Sequence, residues 1–306
     1  MKRLEDFFEK AQSCEKETRK IGFETESLFV SKSNGKVISL KTSQLIMKKL
    51  VNDFGHKVEE EKNGFVTKVI KNGFSIFYEL GWNNFELITP PFEVREVNNL
   101  FFSYNKVLEE LRLAGESSGA ELLSKSWDKE VSNTLVMPDK RDEVWLKLDG
   151  PVLFSLGHIA CIHLNIELVS INEGMNWIKK LNAYYNQEGW PFGDNLSIWQ
   201  KYIANSFAKY EKDRYGQTPS NFLDYCKKLS EYKVVMNCSK GDLSIIDFPL
   251  PFVQTKEVDL NLFLRSVWWW SRLRVREGRL VLEIRDIPRS LGVEKSFSLM
   301  SSLLSF

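Results

Sequence analysis

The sequence predicts an α+β fold built around a largely antiparallel sheet. Three observations lead there. Strand-like and helix-like runs mix along the chain without a strict β-α alternation. An Asn-Gly step at Asn72-Gly73 separates two strand-like runs, and that step favours a tight hairpin. Four apolar, strand-like runs also carry carboxylates in their interiors: Ile21–Glu26, Phe77–Ile88, His163–Glu167 and Leu280–Arg285.

The elements follow in order. Residues 1–20 place Leu4, Phe7, Phe8 and Ala11 at helical spacing between charges, which predicts an amphipathic helix. Residues 21–31 form the first strand, closed by the turn residues Ser33-Asn34-Gly35. Leu45, Ile46, Leu50, Val51 and Phe54 mark a helix over 42–55, ended near Gly55. Strands at 65–70 and 74–80 flank Lys71-Asn72-Gly73, and a third at 85–89 stops at Pro90-Pro91. A long helix spans 93–115 and a strand covers 120–124. A loop surrounds Met137–Arg141, a strand runs over 159–168 and a helix over 172–188. Gly189–Asp194 reads as a loop, with helices near 196–212 and 219–230. Residues 258–270 look helical and end in Trp268-Trp269-Trp270, which reads as core packing. The last strand covers 279–286, and the tail from Ser296 is short, apolar and serine-rich.

With 306 residues, 43% of them hydrophobic and 13% aromatic, the chain can bury a substantial core, and it reads as a single domain over 1–306. Lys+Arg 42 against Asp+Glu 41 leaves a net charge of +1, which argues against nucleic acid as a partner. No apolar run reaches the length of a membrane span, and no apolar signal core follows Met1-Lys2-Arg3. These features predict a cytoplasmic location. Cys14, Cys161, Cys226 and Cys238 show no CxxC spacing and no zinc-site histidine, so they read as free thiols, with a regulatory disulfide as the alternative.

The acids carry the functional signal. Side chains two apart on a strand share a face, so Glu24 and Glu26 point the same way, as can Glu283 and Arg285. Such a row is costly unless something positive sits on it. A divalent ion with oxygen ligands is the simplest occupant, which points to a metal–nucleotide enzyme. The chain has no GxxxxGK(S/T) phosphate loop and no GxGxxG dinucleotide fingerprint. Bland roles stay open at each position. Glu24 and Glu26 could be a solvated edge, His163 a core histidine, and Arg285 a salt-bridge partner of Glu283. Glu167 continues the face of His163 and Asn165 and reads as a surface residue with a ligand role as the alternative, while His158 reads as a structural or loop residue. The run Arg272, Arg274, Arg276 and Arg279 reads as a solvated basic face unless phosphates lie near it.

These blocks together resemble the glutamate–cysteine ligases. Gly22–Glu26 looks like their GxExE opening strand, and Phe77–Leu87 followed by Pro90-Pro91 resembles their LEPGGQ-ELS-PP block. Met137–Arg141 resembles an MPKGRY segment, Cys161–Glu167 a VQVNLD or HxN strand, and Leu282–Asp286 the YIEVRGAD strand. The blocks keep the family's order over residues 20–290. The sequence departs from the pattern at Gly81-Trp82-Asn83-Asn84, which replaces a diglycine. It departs again at Asp142 after Arg141, and at Asp286–Arg289 in place of a glycine-rich turn.

The resemblance implies a curved antiparallel sheet with a glutamine-synthetase-like catalytic fold. It also implies an ATP- and Mg²⁺-dependent ligation of a carboxylate, usually of glutamate, to an amine such as that of cysteine, through an acyl phosphate. By matching positions, Glu24, Glu26, Glu79, Glu86 and Glu283 would hold metal, and His163 would be a further metal ligand or a nucleotide contact. Asn165 would position a nucleotide phosphate or a metal-bound water, Arg285 would stabilise the transferring phosphoryl group, and Arg141, with Arg274 or Arg276, would meet phosphate or the substrate carboxylate. The family context would be glutathione biosynthesis. Relatives carry a helical region beyond the last strand that this chain is expected to lack. Two alternatives accompany this expectation: the same chemistry on other substrates, and a silent relative that binds a nucleotide or a protein. The apolar end (Leu299, Met300, Leu303, Leu304, Phe306) would then cover the gap or pack on a second subunit.

Overall fold

The computed structural model describes residues 2–79, 81–125, 159–188, 218–231, 237–239, 242–244, 260–267 and 269–306. It is an α+β structure whose centre is a ten-stranded sheet. The strands are β1 (Lys20–Ser31), β2 (Lys57–Lys62), β3 (Phe65–Lys71), β4 (Phe74–Tyr78), β5 (Asn84–Ile88), β6 (Phe92–Glu93), β7 (Ala120–Leu122), β8 (Cys161–Glu167), β11 (Ser271–Arg276) and β12 (Arg279–Pro288). A separate ribbon pairs β9 (Asn237–Ser239) with β10 (Asp242–Ser244). The order across the large sheet is β11-β12-β8-β1-β5-β4-β3-β2, with β6 and β7 also on β1, and every pairing is antiparallel. The helices are α1 (Lys2–Glu9), α2 (Leu40–Asn52), α3 (Val97–Glu116), α4 (Ile171–Glu188), α5 (Phe222–Ser230), α6 (Leu260–Ser266) and α7 (Val293–Leu304).

Local chemistry explains the connections. Asn72 and Gly73 both have positive φ, so the Asn-Gly hairpin expected between β3 and β4 is present. Asn63-Gly64 repeats the device between β2 and β3. Glu277-Gly278 repeats it between β11 and β12, with glutamate forced into a left-handed backbone at φ 51. Ser39 caps α2, its hydroxyl accepting from the Thr42 amide.

One face of the sheet is apolar and packed beneath helices. Phe23, Phe85, Leu87, Ile162, Leu164, Ile166, Leu273, Leu282 and Ile284 are buried in one continuous core. Two glycines let helices approach it. A Cβ on Gly115 of α3 would stand 2.3 Å from the Phe29 ring, and one on Gly174 of α4 would stand 2.7 Å from both Leu168 and Leu273.

Four sequence expectations are corrected. The helix over 1–20 stops at Glu9, and Lys16–Thr18 is only a 3-10 turn. The chain there leaves the helix to bury Arg19, which donates to Glu173 at 2.7 Å and lies over the Trp177 ring. The helix over 258–270 ends at Ser266, and Ser271–Arg276 is a sheet strand. The apolar tail is the helix α7. Its Met300 and Leu304 are buried in the core and Phe306 packs on Trp177 and Phe297, so these side chains are used inside the chain. Glu167 is buried, accepting from the Lys20 amide and pairing with Arg279 at 3.3 Å.

Trp269 is buried against Tyr225, as the packing role predicts. Cys14, Cys161 and Cys226 are buried. No helix among the described residues is long and apolar enough to cross a membrane. The expectations at Met137–Arg141, His158, Gly189–Asp194 and the helix near 196–212 lie outside the described residues.

Candidate metal and anion site

Sheet register brings the acids together. Glu24 pairs with His163 across β1 and β8, Glu26 with Glu86 across β1 and β5, Glu283 with Asn165 across β12 and β8, and Arg272 with Glu283 across β11 and β12. Directly opposed residues share a face. The side chains therefore form one band on the face opposite the helices, running from Glu86 on β5 to the arginines on β11. A register irregularity between Ile284 and Ile287 falls at Arg285, the kind of bulge that re-aims a side chain.

At the β1–β5–β8 end, one ligand atom each from Glu24, Glu86 and His163 lies within 4.8 Å of the others, and all three residues are buried. His163 stands between two carboxylates, with Nδ1 3.3 Å from Glu24 Oε2 and Nε2 3.5 Å from Glu26 Oε1. Glu24 Oε1 is already engaged, accepting from Asn165 Nδ2 at 3.0 Å and from Arg276 Nη2 at 2.6 Å. Glu26 Oε2 accepts from the Cys161 amide at 3.0 Å. Glu86 Oε1 is buried with no hydrogen-bond partner, and Asn165 Oδ1 is likewise unsatisfied.

The charges divide the band in two. Burial pushes the Glu86 carboxyl well above the usual carboxylate range, and the acids of Glu79, Glu24 and Glu26 push the same way. Burial raises Glu26 to about 7, with Glu79 adding to it against the pull of His163 and Arg285. Glu24 behaves oppositely: burial disfavours its charge, but Arg276 and His163 outweigh that and hold it well below its ordinary value. At the other end Glu283 is ringed by arginines. Arg272 Nε donates to its Oε2, Arg276 Nη2 to its Oε1 at 2.9 Å and Arg274 Nη1 to its Oε2 at 3.4 Å, while Arg285 Nη1 stands 3.6 Å away. Burial opposes ionisation there too, yet these arginines keep Glu283 charged.

The structure thus gathers Glu24, Glu26, Glu86, His163, Asn165, Glu283, Arg274, Arg276 and Arg285 on one face, with Glu79 beside Glu86 just past β4. Arg141 lies outside the described residues. Within the band Glu283 contacts arginines, whereas the compact oxygen–nitrogen group is Glu24, Glu86 and His163. The residue missed from sequence is Arg272, which is 1% exposed and lies against Glu283. Its signal was present in the strict alternation of Arg272, Leu273, Arg274, Val275 and Arg276, which is a strand pattern. The Gly81–Asn84 turn is anchored rather than open. Trp82 Nε1 donates to the Ile38 carbonyl at 2.8 Å, and Asn84 bridges the Ser27 amide and the Ile159 carbonyl.

No family model matches the chain, and no curated protein matches it. Among solved structures it is similar to a glutamate–cysteine ligase from Francisella tularensis in complex with AMP. The TM-score is 0.47 at 13% identity, over 96% of this chain and 68% of that one. It is also similar to a bifunctional glutathione synthetase from Pasteurella multocida, with TM-score 0.47 at 12% identity, over 94% of this chain and 39% of the other.

Proposed function

We propose that this protein is an ATP- and Mg²⁺-dependent ligase that joins a carboxylate to an amine through an acyl phosphate. The reading takes the γ-carboxylate of glutamate as donor and an amino-acid amine, cysteine among the candidates, as acceptor. The observation that carries it is the juxtaposition on one sheet face of a three-residue oxygen–nitrogen group with a cluster of arginines.

The donor set fits a hard divalent cation. Glu86 Oε1 is orphaned, Glu24 Oε2 is turned towards His163, and like charges crowd where a cation would relieve them. Glu24, Glu86 and His163 would hold the ion, with Glu26 and Glu79 alongside. When bound it would offset the negative charge of nucleotide phosphates and of the donor carboxylate.

The chain's own residues account for the remainder. Arg274, Arg276 and Arg285 present positive charge towards the same face, and Nε of both Arg274 and Arg276 is unsatisfied. Such donors suit the oxygens of a transferring phosphoryl group and of a substrate carboxylate. Arg272 is fully buried and acts through Glu283, holding its carboxylate where it spaces the other arginines. In the reaction a carboxylate oxygen attacks the terminal phosphorus of ATP and ADP leaves. The amine nitrogen then attacks the acyl carbon, phosphate leaves, and the nitrogen loses a proton to give the amide.

The test is ADP and phosphate release with glutamate and a panel of amines. Turnover should require carboxylate, amine and Mg²⁺ together, and should be lost in Glu86→Gln and Arg276→Ala. Binding of Mg-ATP with no turnover on any pair refutes the ligase reading and supports a silent nucleotide-binding relative. Unchanged Mg-ATP binding in the Glu24→Gln, Glu86→Gln double variant removes the metal site as well.

A further inference from the structure

A second polar cluster lies on the opposite face of β1, beneath α3 and the 3-10 turn Arg289–Leu291. Thr25 and Ser27 alternate with Glu24 and Glu26 along β1, so their hydroxyls enter the helix-covered face. Tyr104 comes from α3 and Arg289 from the turn before α7. All four are deeply buried, Thr25 and Ser27 at 0%, Tyr104 at 3% and Arg289 at 7% exposure.

Their polar atoms are under-used. Arg289 Nε reaches Ser27 Oγ at a long 3.4 Å. The Tyr104 hydroxyl lies near the Thr25 hydroxyl and within electrostatic reach of Arg289, yet neither hydroxyl makes a hydrogen bond of good geometry. The other buried arginines all have carboxylate partners: Arg19 has Glu173, while Arg272 and Arg274 have Glu283. Among the described residues Arg289 is the buried arginine without one. Two buried hydroxyls without a well-formed hydrogen bond, beside a guanidinium that has no carboxylate, are unfavourable, and every group there can donate a hydrogen bond. Burial raises the Tyr104 pKa, which keeps its hydroxyl a donor.

We propose that Arg289, Thr25, Ser27 and Tyr104 form a buried binding site for a small monoanion of the halide class. One guanidinium matches one negative charge. The convergent N–H and O–H groups match an acceptor with no proton of its own, and the depth of burial limits the occupant to a few atoms. The site is independent of the ligase reading. It shares β1 with the acid band, so its occupant helps fix the strand that carries Glu24 and Glu26.

The experiment uses the full chain in gluconate buffer, titrated with sodium bromide at constant ionic strength while the thermal midpoint is followed. The wild type should show a saturable rise. Tyr104→Phe should weaken the half-saturating bromide concentration about tenfold, as expected for a lost hydrogen bond to a charged group. Arg289→Gln should abolish the rise. A crystal grown in bromide should show anomalous density between these four side chains. No saturable rise, the same rise in Arg289→Gln, or an ordered water in place of bromide overturns the proposal. If Arg289→Gln does not fold, Tyr104→Phe and the bromide crystal decide it.

Discussion

Glutamine at Glu86 and glutamine at Glu283 each replace a buried carboxyl on the same face of the sheet, and they should move stability in opposite directions. Glu283 is 1% exposed, and three guanidinium groups lie within 3.4 Å of its carboxylate. Breaking a buried pair by removing one partner costs about 3–5 kcal/mol, because the remaining charge stays buried. Glutamine keeps one acceptor oxygen, and Arg276 keeps its bond to Glu24, so the loss should be about 3 kcal/mol, near the low end of that range. Glu86 is the reverse case. Its Oε1 is buried without a partner, and its charged neighbours are acids. A neutral amide there can donate to those acids, and relieving one unsatisfied buried group should add about 1 kcal/mol in a chelator. Divalent cation inverts the order. A bound ion at a hundredfold its dissociation constant adds about 2.7 kcal/mol to the wild type, and Glu86→Gln should lose most of that gain. Urea unfolding followed by tryptophan fluorescence, in chelator and in Mg²⁺, reads both effects. A Glu86→Gln variant less stable than wild type in chelator, or one with an undiminished Mg²⁺ response, refutes the cation argument. A Glu283→Gln variant as stable as wild type refutes the account of the arginine cluster.

Gly115→Ala should cost about 1–3 kcal/mol in urea unfolding, because the new methyl stands 2.3 Å from Phe29 in a filled core; an unchanged midpoint would show that α3 shifts freely. Glu277→Asn should raise stability by up to about 1 kcal/mol, since asparagine tolerates the φ of 51 that glutamate holds in the β11–β12 turn, and a loss would contradict that. His56 is buried, which lowers its pKa against the opposing pull of Glu110, to which its Nε2 bonds at 3.0 Å. A depressed histidine pKa contributes stability that is present above the unfolded value of about 6.5 and lost as pH falls below it. The decline in stability between pH 7 and 5 should therefore be shallower in His56→Gln than in wild type, and equal slopes would dismiss the effect.

The acid band was legible because its grammar is local. Alternation along β1 puts Glu24 and Glu26 on one face whatever the rest of the chain does, and the Asn72-Gly73 turn dictates its own hairpin. What escaped depended on pairing. Lys57–Lys62 has no apolar alternation because it is a largely solvated edge strand, so its pattern resembles a loop. Ser271–Arg276 alternates cleanly, but its arginines suggest a surface until β12 places Glu283 beneath them. The turn that makes this register, Glu277-Gly278, lacks the asparagine that marks the other two hairpins. The Arg289 cluster was invisible because its four members come from β1, α3 and a turn near the end of the chain. No stretch of sequence holds more than two of them.

The band also explains why opposite charges are kept apart on one surface. Neighbouring strands lie about 4.8 Å apart, so β5 and β11, four positions apart in the sheet order, are separated by about 19 Å. If acids and arginines were interleaved over that distance, each would neutralise the next and nothing would remain for a ligand. Instead Glu26 of β1 and Glu86 of β5 are left with raised pKa values, and Glu86 with an orphaned oxygen, while the arginines of β11 and β12 converge on a single carboxylate. Arg276 is the seam, giving Nη2 to both Glu24 and Glu283. One end is short of positive charge and the other has positive charge to spare. A ligand that is itself a cation chelated by an anion satisfies both ends at once, and neither part alone does. The consequence is measurable as coupling: free ATP and free Mg²⁺ should each bind weakly, and each should tighten the other. Arg276→Ala should reduce that coupling more than either separate affinity, and independent binding of the two would show that the ends do not act together.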